Sequence, residues 1–239
     1  MRPSIVVLGS LTVAACGRIG FGDTPVPGDG QLDECLPSSP AEDFTSMLAD
    51  PCAPWGSPTV MQGLDVVRAG GGLEITPQDV PGTMGQFGGC NFDVPDITRG
   101  AMVEVSSVLD AAPGYTNMVF YWGVPLGDDL LVKSFGLQVG GWDRVLFALA
   151  EAGHQGHRPY DPIATRFWRI LVDDAAQLRA QVSPDGWSWA DVATHDTTGE
   201  DVSRGWVTFG AGRDDDLVTG TARFESLNVC PSGPTSGRR

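Results

Sequence analysis

Three consecutive acidic residues, Asp214, Asp215 and Asp216, lie in a predicted loop just before the last predicted strand of the chain. Adjacent residues cannot all face one ion, but two carboxylates and nearby backbone carbonyls could supply the oxygen ligands that Ca²⁺ takes. A solvated acidic loop is the alternative, because a run of like charges commonly lies in water. Calcium is the only cofactor that this sequence suggests, and otherwise we expect none.

Two histidines, His154 and His157, stand three residues apart and close to Asp161. On a helix this spacing could bind a transition metal, but Gly153 and Gly156 favour a solvated loop. The chain contains no Gly-x-Ser-x-Gly motif, so nothing in it specifies the nucleophile of a Ser-His-Asp hydrolase. We expect no catalytic residues of that type.

Tryptophan rings are a second candidate for chemistry, because exposed aromatic rings can stack against sugar rings. Four tryptophans lie in predicted strands, where core packing is expected: Trp122, Trp168, Trp189 and Trp206. Trp142 follows two glycines and Trp187 follows a predicted turn, so these two are the candidates for exposed ligand-binding rings. Tyr160, in a predicted loop, is a weaker candidate.

Five cysteines occur, and Cys16 is set apart because it ends the N-terminal apolar run. An even number remains (Cys35, Cys52, Cys90 and Cys230), which in an exported chain indicates two disulfides. Three pairings are possible. We favour Cys52 with Cys90 and Cys35 with Cys230, and the second requires that the two ends of the domain be neighbours. Zinc is the alternative, but no Cys-x-x-Cys pair occurs.

The N-terminus has the features of an export signal. Arg2 precedes an apolar run over residues 5–15, which is too short to span a bilayer and typical of the central region of a signal peptide. The small residues before Cys16 resemble the lipobox of bacterial lipoproteins. The resemblance implies cleavage before this cysteine and its acylation, and two or three acyl chains anchor a protein firmly to a bilayer. An ordinary signal peptide with an incidental cysteine is the alternative.

The resemblance also implies a location and a domain order. Gly17 instead of Asp after the lipidated cysteine favours the outer membrane, so we expect a lipid-anchored protein of the cell envelope, on its periplasmic or surface side. We divide the chain into a signal peptide (1–15), the lipidated cysteine with a Gly/Pro-rich tether (16–40), one folded domain (41–230) and a flexible tail (231–239).

Charge narrows the range of partners. The chain has 15 basic and 30 acidic residues, a net charge of -15, and Lys133 as its single lysine. An acidic protein without a basic stripe is repelled by phosphates, so we expect no nucleic-acid partner. Attachment to anionic lipids through a polybasic patch is excluded for the same reason.

The body of the chain predicts an all-β fold. Short apolar or alternating runs are separated by Gly, Pro, Asp and Asn, and no internal repeat or polar linker divides them. We expect one antiparallel β-sandwich. The predicted strands cover residues 63–67, 73–76, 101–108, 117–124, 134–139, 144–150, 166–173, 178–183, 188–192, 206–211 and 221–229.

A group of neighbouring features in the C-terminal half points to a known fold. They are an aromatic-rich strand (Phe167, Trp168 and Ile170), an alternating strand (178–182), a Ser-Pro-Asp-Gly turn (183–186), a closing tryptophan (Trp189) and a final strand (222–229). Together they resemble the concanavalin A-like, laminin-G-like jelly-roll domains of bacteria. The resemblance implies two antiparallel sheets with adjacent termini, as the pairing of Cys35 with Cys230 requires. Laminin-G-like domains often bind calcium through carboxylates of their rim loops.

Relatives of this fold include glycosidases that place carboxylates at alternate positions of one strand. Retaining enzymes need two such groups about 5–5.5 Å apart. Here Glu74, Glu104 and Glu225 are isolated in their strands, and no Glu-x-Asp-x-x-Glu motif occurs. We therefore expect a non-enzymatic, lipid-anchored envelope domain that binds a carbohydrate or a surface protein. A polysaccharide hydrolase or lyase, and a purely structural envelope protein, are the alternatives.

Overall fold

The computed structural model of the chain describes eleven segments of it: residues 41–54, 56–59, 64–78, 86–93, 97–108, 116–125, 132–140, 145–150, 153–202, 205–213 and 220–232. These segments belong to one unit, Asp33–Arg239. Several predicted sites lie outside the described residues: Cys16, Cys35, Trp142, Asp214, Asp215 and Asp216. The predicted signal peptide and tether lie outside them as well. Within the described segments, no helix has the length and apolar character needed to cross a membrane.

Two antiparallel sheets of seven strands each contain all the strands of the described residues. In spatial order, sheet I consists of β1 (Ser57–Thr59), β4 (Gln86–Asp93), β13 (Trp206–Arg213), β6 (Thr116–Pro125), β7 (Val132–Val139), β8 (Val145–Ala150) and β9 (Gly153–Pro159). Sheet II consists of β12 (Ala190–Asp196), β11 (Gln177–Ser183), β10 (Phe167–Val172), β5 (Ala101–Val108), β14 (Ala222–Leu227), β3 (Gly72–Pro77) and β2 (Leu64–Ala69). One 3-10 turn, Ile97–Arg99, precedes β5. The predicted two-sheet β-sandwich is confirmed.

The core lies between the two sheets and follows the period of two along each strand. In β10, Trp168 and Ile170 face the core and are fully buried, whereas Arg169 between them faces outward and is half-buried. Phe120 of β6 and Phe209 of β13 enter the same core from sheet I. In each sheet, one set of alternate residues therefore builds the core and the other set forms an outer face.

The predicted Ser-Pro-Asp-Gly turn after β11 is confirmed. The Ser183 hydroxyl accepts a hydrogen bond from the Gly186 N–H at 2.8 Å, and Gly186 adopts a φ of 77°, which glycine accommodates without strain. The Asp185 carboxylate accepts hydrogen bonds from the N–H groups of Trp187 and Ser188, at 2.8 and 2.7 Å. The chain straightens again only at Ala190, so the prediction that β12 begins at residue 188 was wrong by two residues.

The two ends of the domain meet, as the resemblance implied. Glu42 forms an isolated antiparallel bridge with Leu227, with N–H···O distances of 2.9 and 2.8 Å. The predicted disulfide between Cys52 and Cys90 is confirmed. Cys230 is also disulfide-bonded. Its predicted partner lies outside the described residues, so that pairing stays a prediction.

Three strands were not predicted: β1, β4 and β9. The prediction of a loop at His154 and His157 was wrong, because both residues lie in β9, which pairs with β8. Gly156 interrupts the pairing with a positive φ of 64°, at a shift in the register between β8 and β9. A Cβ on Gly156 would lie 2.0 Å from the Val192 carbonyl oxygen. The glycine thus marks a bulge under a close backbone contact rather than the end of a strand.

Candidate functional site

Charged side chains on the outer face of sheet II pair with one another. Arg179 of β11 donates to Asp173 and to Asp191, both at 2.6 Å. Arg223 of β14 pairs with Glu225 at 2.9 Å and also with Glu74 on the neighbouring strand β3. Two of these pairs, Arg179 with Asp191 and Arg223 with Glu74, lie across adjacent strands, where opposite charges stabilise the sheet. This face therefore satisfies most of its own charge.

Two carboxylates do share a cavity of about 510 Å³ on this face. Glu104 and Glu225 both line it, with Ser106, Arg166 and the exposed Ile163 at its edge. Glu104 accepts hydrogen bonds from Arg166, however, and Glu225 is held by Arg223. The two carboxylates that could serve as a glycosidase pair thus both accept hydrogen bonds from arginines.

The ionisation of Glu225 follows from these contacts. Burial raises the pKa of its carboxyl, but hydrogen bonds from Arg223 and from the Ser106 hydroxyl outweigh burial and hold the pKa below its usual value. A glycosidase acid works with a raised pKa, since it must carry a proton to the leaving oxygen. The environment of Glu225 is the opposite of the one that a general acid requires.

A second groove opens on the outer face of sheet I and has a different character. Its volume is about 550 Å³, and it lies where β1, β4 and β13 meet. The described residues that line it are Pro54, Gly56, Ser57, Asn91, Phe92, Asp93 and Trp206. We call it the Trp206 groove. It combines one aromatic ring with a hydroxyl, an amide and a carboxylate.

The register of β4 and β13 brings these groups together. Trp206 lies directly opposite Asp93, and Thr208 lies opposite Asn91, so the four side chains share one face. That face is the outer one, because Val207 between Trp206 and Thr208 is buried in the core. On its other side Trp206 is opposite Gly123 of β6, which has no side chain to compete for the space above the sheet.

The polar groups of the groove are held in position but keep hydrogen-bonding capacity. The Thr208 hydroxyl donates to the Asn91 Oδ1, which directs the amide and leaves its two N–H donors for another acceptor. Asp93 is exposed and makes no hydrogen bond or ion pair within the described residues. Ser57 at the edge of the groove is exposed too.

The wall of the groove is the end of a long N-terminal segment, residues 41–54 and 56–57. Besides the backbone pairing of Glu42 with Leu227 and of Ser57 with Asn91, two contacts hold this segment. The first is Arg68 of β2, whose buried guanidinium donates to the carbonyls of Pro51 and Ala53 at 2.9 and 2.6 Å. The second is the disulfide from Cys52 to Cys90, the residue that precedes Asn91. The wall is therefore tied to both sheets.

Beyond Asn91 and Thr208, the next pair of residues on the outer face of β4 and β13 consists of two glycines. Gly89 of β4 and Gly210 of β13 lie opposite each other. A Cβ on Gly89 would come within 2.1 Å of the Phe209 carbonyl oxygen, and one on Gly210 within 2.2 Å of the Gly88 carbonyl oxygen. The two strands are thus close enough only because both positions are glycine, and their backbone leaves a smooth surface next to the groove.

The predicted ligand-binding residues that the structure describes lie elsewhere. Trp187 is half-buried in the bend after the Ser-Pro-Asp-Gly turn, and its indole nitrogen is buried. Tyr160 is half-buried against the core. His157 is exposed, with its ring 5.5 Å from that of Phe147. Over the described residues, no group of three His, Cys, Asp or Glu side chains is placed to hold a metal ion.

The core assignment of the tryptophans was half right. Trp122 and Trp168 are buried, as predicted. Trp189 is instead half-buried on the outer face of sheet II, where the Arg169 guanidinium stacks 4.1 Å from its ring centre. The prediction for Trp206 was wrong, because the strand alternation puts this ring on the outer face of sheet I.

Asn91 and Asp93 were missed because β4 was missed. The signal was present in the alternation of Cys90 and Phe92, which are buried, with two polar residues that are not. Gly88 and Gly89 concealed it, since glycines inside a strand weaken its sequence pattern.

Comparison with known proteins identifies the fold. No protein-family model and no curated protein matches the chain. The structure is similar to a prokaryotic β-1,3-1,4-glucanase (lichenase) derived from a mouse hindgut metagenome, with a TM-score of 0.53 and 9% identity over 78% of this chain and 96% of that one. It is also similar to a legume lectin-like domain from Entamoeba histolytica, with a TM-score of 0.50 and 12% identity over 79% and 97% of the two chains. The fold is a jelly-roll β-sandwich of the concanavalin A-like type.

Proposed function

We propose that this protein is a non-catalytic carbohydrate-binding domain and that the glycan binds in the Trp206 groove. The observation that carries the proposal is the joint position of a half-exposed indole ring, an unpaired carboxylate and an oriented amide on one open face. These are the half-buried Trp206, the exposed Asp93 and the half-buried Asn91.

Each group matches a different part of a sugar. The flat face of an aromatic ring packs against the C–H groups of a pyranose, which removes apolar surface from water. A carboxylate such as that of Asp93 accepts hydrogen bonds from sugar hydroxyls, and the N–H donors of Asn91 bond to sugar oxygens. A few placed polar groups beside an apolar surface are the usual composition of a small-molecule site.

We propose that this binding domain belongs to a bacterial cell envelope, on its periplasmic or surface side. The support is the sequence pattern at the N-terminus, where a short apolar run and small residues precede Cys16. Acyl chains on that cysteine would anchor the protein, and the Gly/Pro-rich residues up to 40 would hold the domain away from the membrane surface. The bilayer and a glycan are then its two partners.

A polysaccharide hydrolase is the second candidate, and one observation favours it: Glu104 and Glu225 line the same cavity on sheet II. The lowered pKa of Glu225 and its contact with Arg223 count against the proton transfer that such an enzyme needs. Incubation with polysaccharides and measurement of new reducing ends separates the candidates. Hydrolysis that is abolished by Glu225→Gln would replace our proposal with the second candidate.

Binding is tested with the full chain on an array of uncharged, uronic-acid and sulfated glycans, followed by titration calorimetry of the glycans retained. Trp206→Ala should weaken binding about tenfold or more, because a central aromatic contact is removed. Trp189→Ala is the matched control, since Trp189 is also half-buried but lies on sheet II. No binding to any glycan, or an equal loss in both variants, would contradict the proposal.

A further inference from the structure

We infer that Asp93 makes the Trp206 groove selective for uncharged glycans and excludes glycans with a carboxylate or sulfate on the bound sugar. The inference rests on the proposed function, and it identifies both the class of ligand and the residue that sets it. Asp93 acts by its charge, whereas Trp206 and Asn91 contribute surface and hydrogen bonds that any sugar could use.

The carboxylate of Asp93 differs from those on sheet II. On that sheet Asp173 and Asp191 are neutralised by Arg179, and Glu74 by Arg223. Asp93 has no cationic partner and no hydrogen-bond donor within the described residues, and it is exposed. Its negative charge therefore acts on whatever enters the groove.

The described residues of the groove surface supply no positive charge to balance it. Of the described lining residues only Asp93 is ionisable, the others being Pro54, Gly56, Ser57, Asn91, Phe92 and Trp206. Arg68 lies behind the wall, but its side chain is 1% exposed and is committed to Glu42, Ser46, Pro51 and Ala53. Among the described residues that line the groove, an anionic sugar thus meets a fixed negative charge and no guanidinium.

The chemistry of the two ligand classes then separates them. A sugar hydroxyl can donate a hydrogen bond to the Asp93 carboxylate, whereas an ionised carboxylate or sulfate can only accept. Two like charges a few ångströms apart also repel each other, and this repulsion weakens as salt is added. Discrimination by charge must therefore depend on ionic strength, whereas discrimination by shape must not.

The experiment compares one polysaccharide in two charge states. Laminarin, barley β-glucan and starch are each used before and after oxidation of their C6 hydroxyls to carboxylates, with the wild type, Asp93→Asn and Asp65→Asn. Asp65 is a matched control: it is exposed on β2 of sheet II and makes no hydrogen bond or ion pair within the described residues. The measured quantity is the ratio of affinities for the unoxidised and oxidised forms.

The wild type and Asp65→Asn should prefer the unoxidised polysaccharide about tenfold or more in 20 mM salt, and less in 500 mM salt. Asp93→Asn should bring the ratio below about threefold and remove its salt dependence. Equal binding of both forms by the wild type, or an unchanged ratio in Asp93→Asn, would overturn the inference. So would an equal effect of Asp65→Asn, because overall charge would then be the cause.

These outcomes separate the two proposals. If the wild type binds polysaccharides without a charge preference, the inference fails and the proposed function stands. If it binds neither form of any polysaccharide, the proposed function fails and the inference fails with it.

Discussion

The outer faces of the two sheets carry similar residue types but use them differently. On sheet II, Arg179 and Arg223 each bind two carboxylates, and Arg166 binds Glu104. On sheet I, the Trp206 groove contains a carboxylate and an amide that the fold leaves available. The difference shows that polar residues in a sandwich mark a binding site only where neighbouring strands do not already satisfy them.

Cross-strand register produces this difference. Arg179 and Asp191 lie on the adjacent strands β11 and β12, so opposite charges meet. In sheet I the residue opposite Asp93 is Trp206, which cannot neutralise it. Charge pairing stabilises sheet II, whereas the groove on sheet I must be held in shape by other means. The following changes test that division, beginning with the largest expected effect.

The wall of the groove should depend on the Cys52–Cys90 disulfide. The bridge spans 38 residues, and in the chain-entropy model its loss should lower the free energy of unfolding by about 3–4 kcal/mol. A double variant, Cys52→Ala with Cys90→Ala, avoids free thiols and is measured by urea unfolding. Glycan binding should weaken with it, because the wall next to Asn91 is released. A loss below about 1 kcal/mol would show that Arg68 and the backbone pairings of this segment hold it without the disulfide.

The pairing on sheet II should matter for stability and not for binding. Arg223→Met leaves Glu74 and Glu225 without their shared cation and removes hydrogen bonds to the carbonyls of Ala69 and Gly70. Because the site is partly exposed, we expect this variant to lower the free energy of unfolding by about 1–2 kcal/mol.

Arg99→Met is the matched control for charge, since Arg99 is exposed and binds no carboxylate within the described residues. It should change stability by less than about 0.5 kcal/mol. A loss of glycan affinity in Arg223→Met would break the distinction between the two faces.

Lowering the pH should destabilise the side of the sandwich formed by sheet II first, because ionised carboxylates stabilise that side. Burial raises the pKa of Asp185, but hydrogen bonds from the N–H groups of Ser188 and Trp187 and from the Ser183 and Ser188 hydroxyls outweigh it and lower the pKa to about 2. The ionised form is therefore favoured by folding. Its contribution is present above the unfolded pKa of 3.8 and is lost as the pH falls through about 2.

We expect this contribution to be about 1 kcal/mol, because solvent screens an exposed carboxylate. Asp185→Asn should flatten the decrease in unfolding free energy between pH 5 and 2. The control is Asp174→Asn, at an exposed position that accepts no hydrogen bond within the described residues. An identical pH profile in both variants would show that the turn gains nothing from its charge.

Local features of the fold were predictable from the sequence. The Ser-Pro-Asp-Gly turn has an unambiguous pattern because proline and glycine restrict or permit particular φ values. The strand β10 was recognisable from its aromatic-rich sequence, and it lies inside sheet II. The even number of cysteines indicated two disulfides, and of the three possible pairings the favoured one of Cys52 with Cys90 is confirmed.

The candidate site was not predictable in the same way. Its two strands, β4 and β13, are separated by more than 110 residues in the chain, so their register is a long-range property. The strand β4 contains Gly88 and Gly89, which suggest a loop until the facing Gly210 is known. A strand pattern shows that successive side chains lie on opposite faces, but it does not show which face is buried. For this reason Trp206 was wrongly assigned to the core.

The amino-acid sequence by itself determined the all-β class and eleven of the fourteen described strands, because alternation, turn residues and β-branched or aromatic content act over a few neighbours. Only the tertiary structure decided which polar groups remain free. Arg179 met Asp191 on the next strand of the chain, β12, whereas Asp93 met an indole ring because β4 and β13, which are distant in the chain, came together in one particular register. Local propensity specifies the strands, whereas the pairing between them leaves Asp93 and Asn91 available for a ligand.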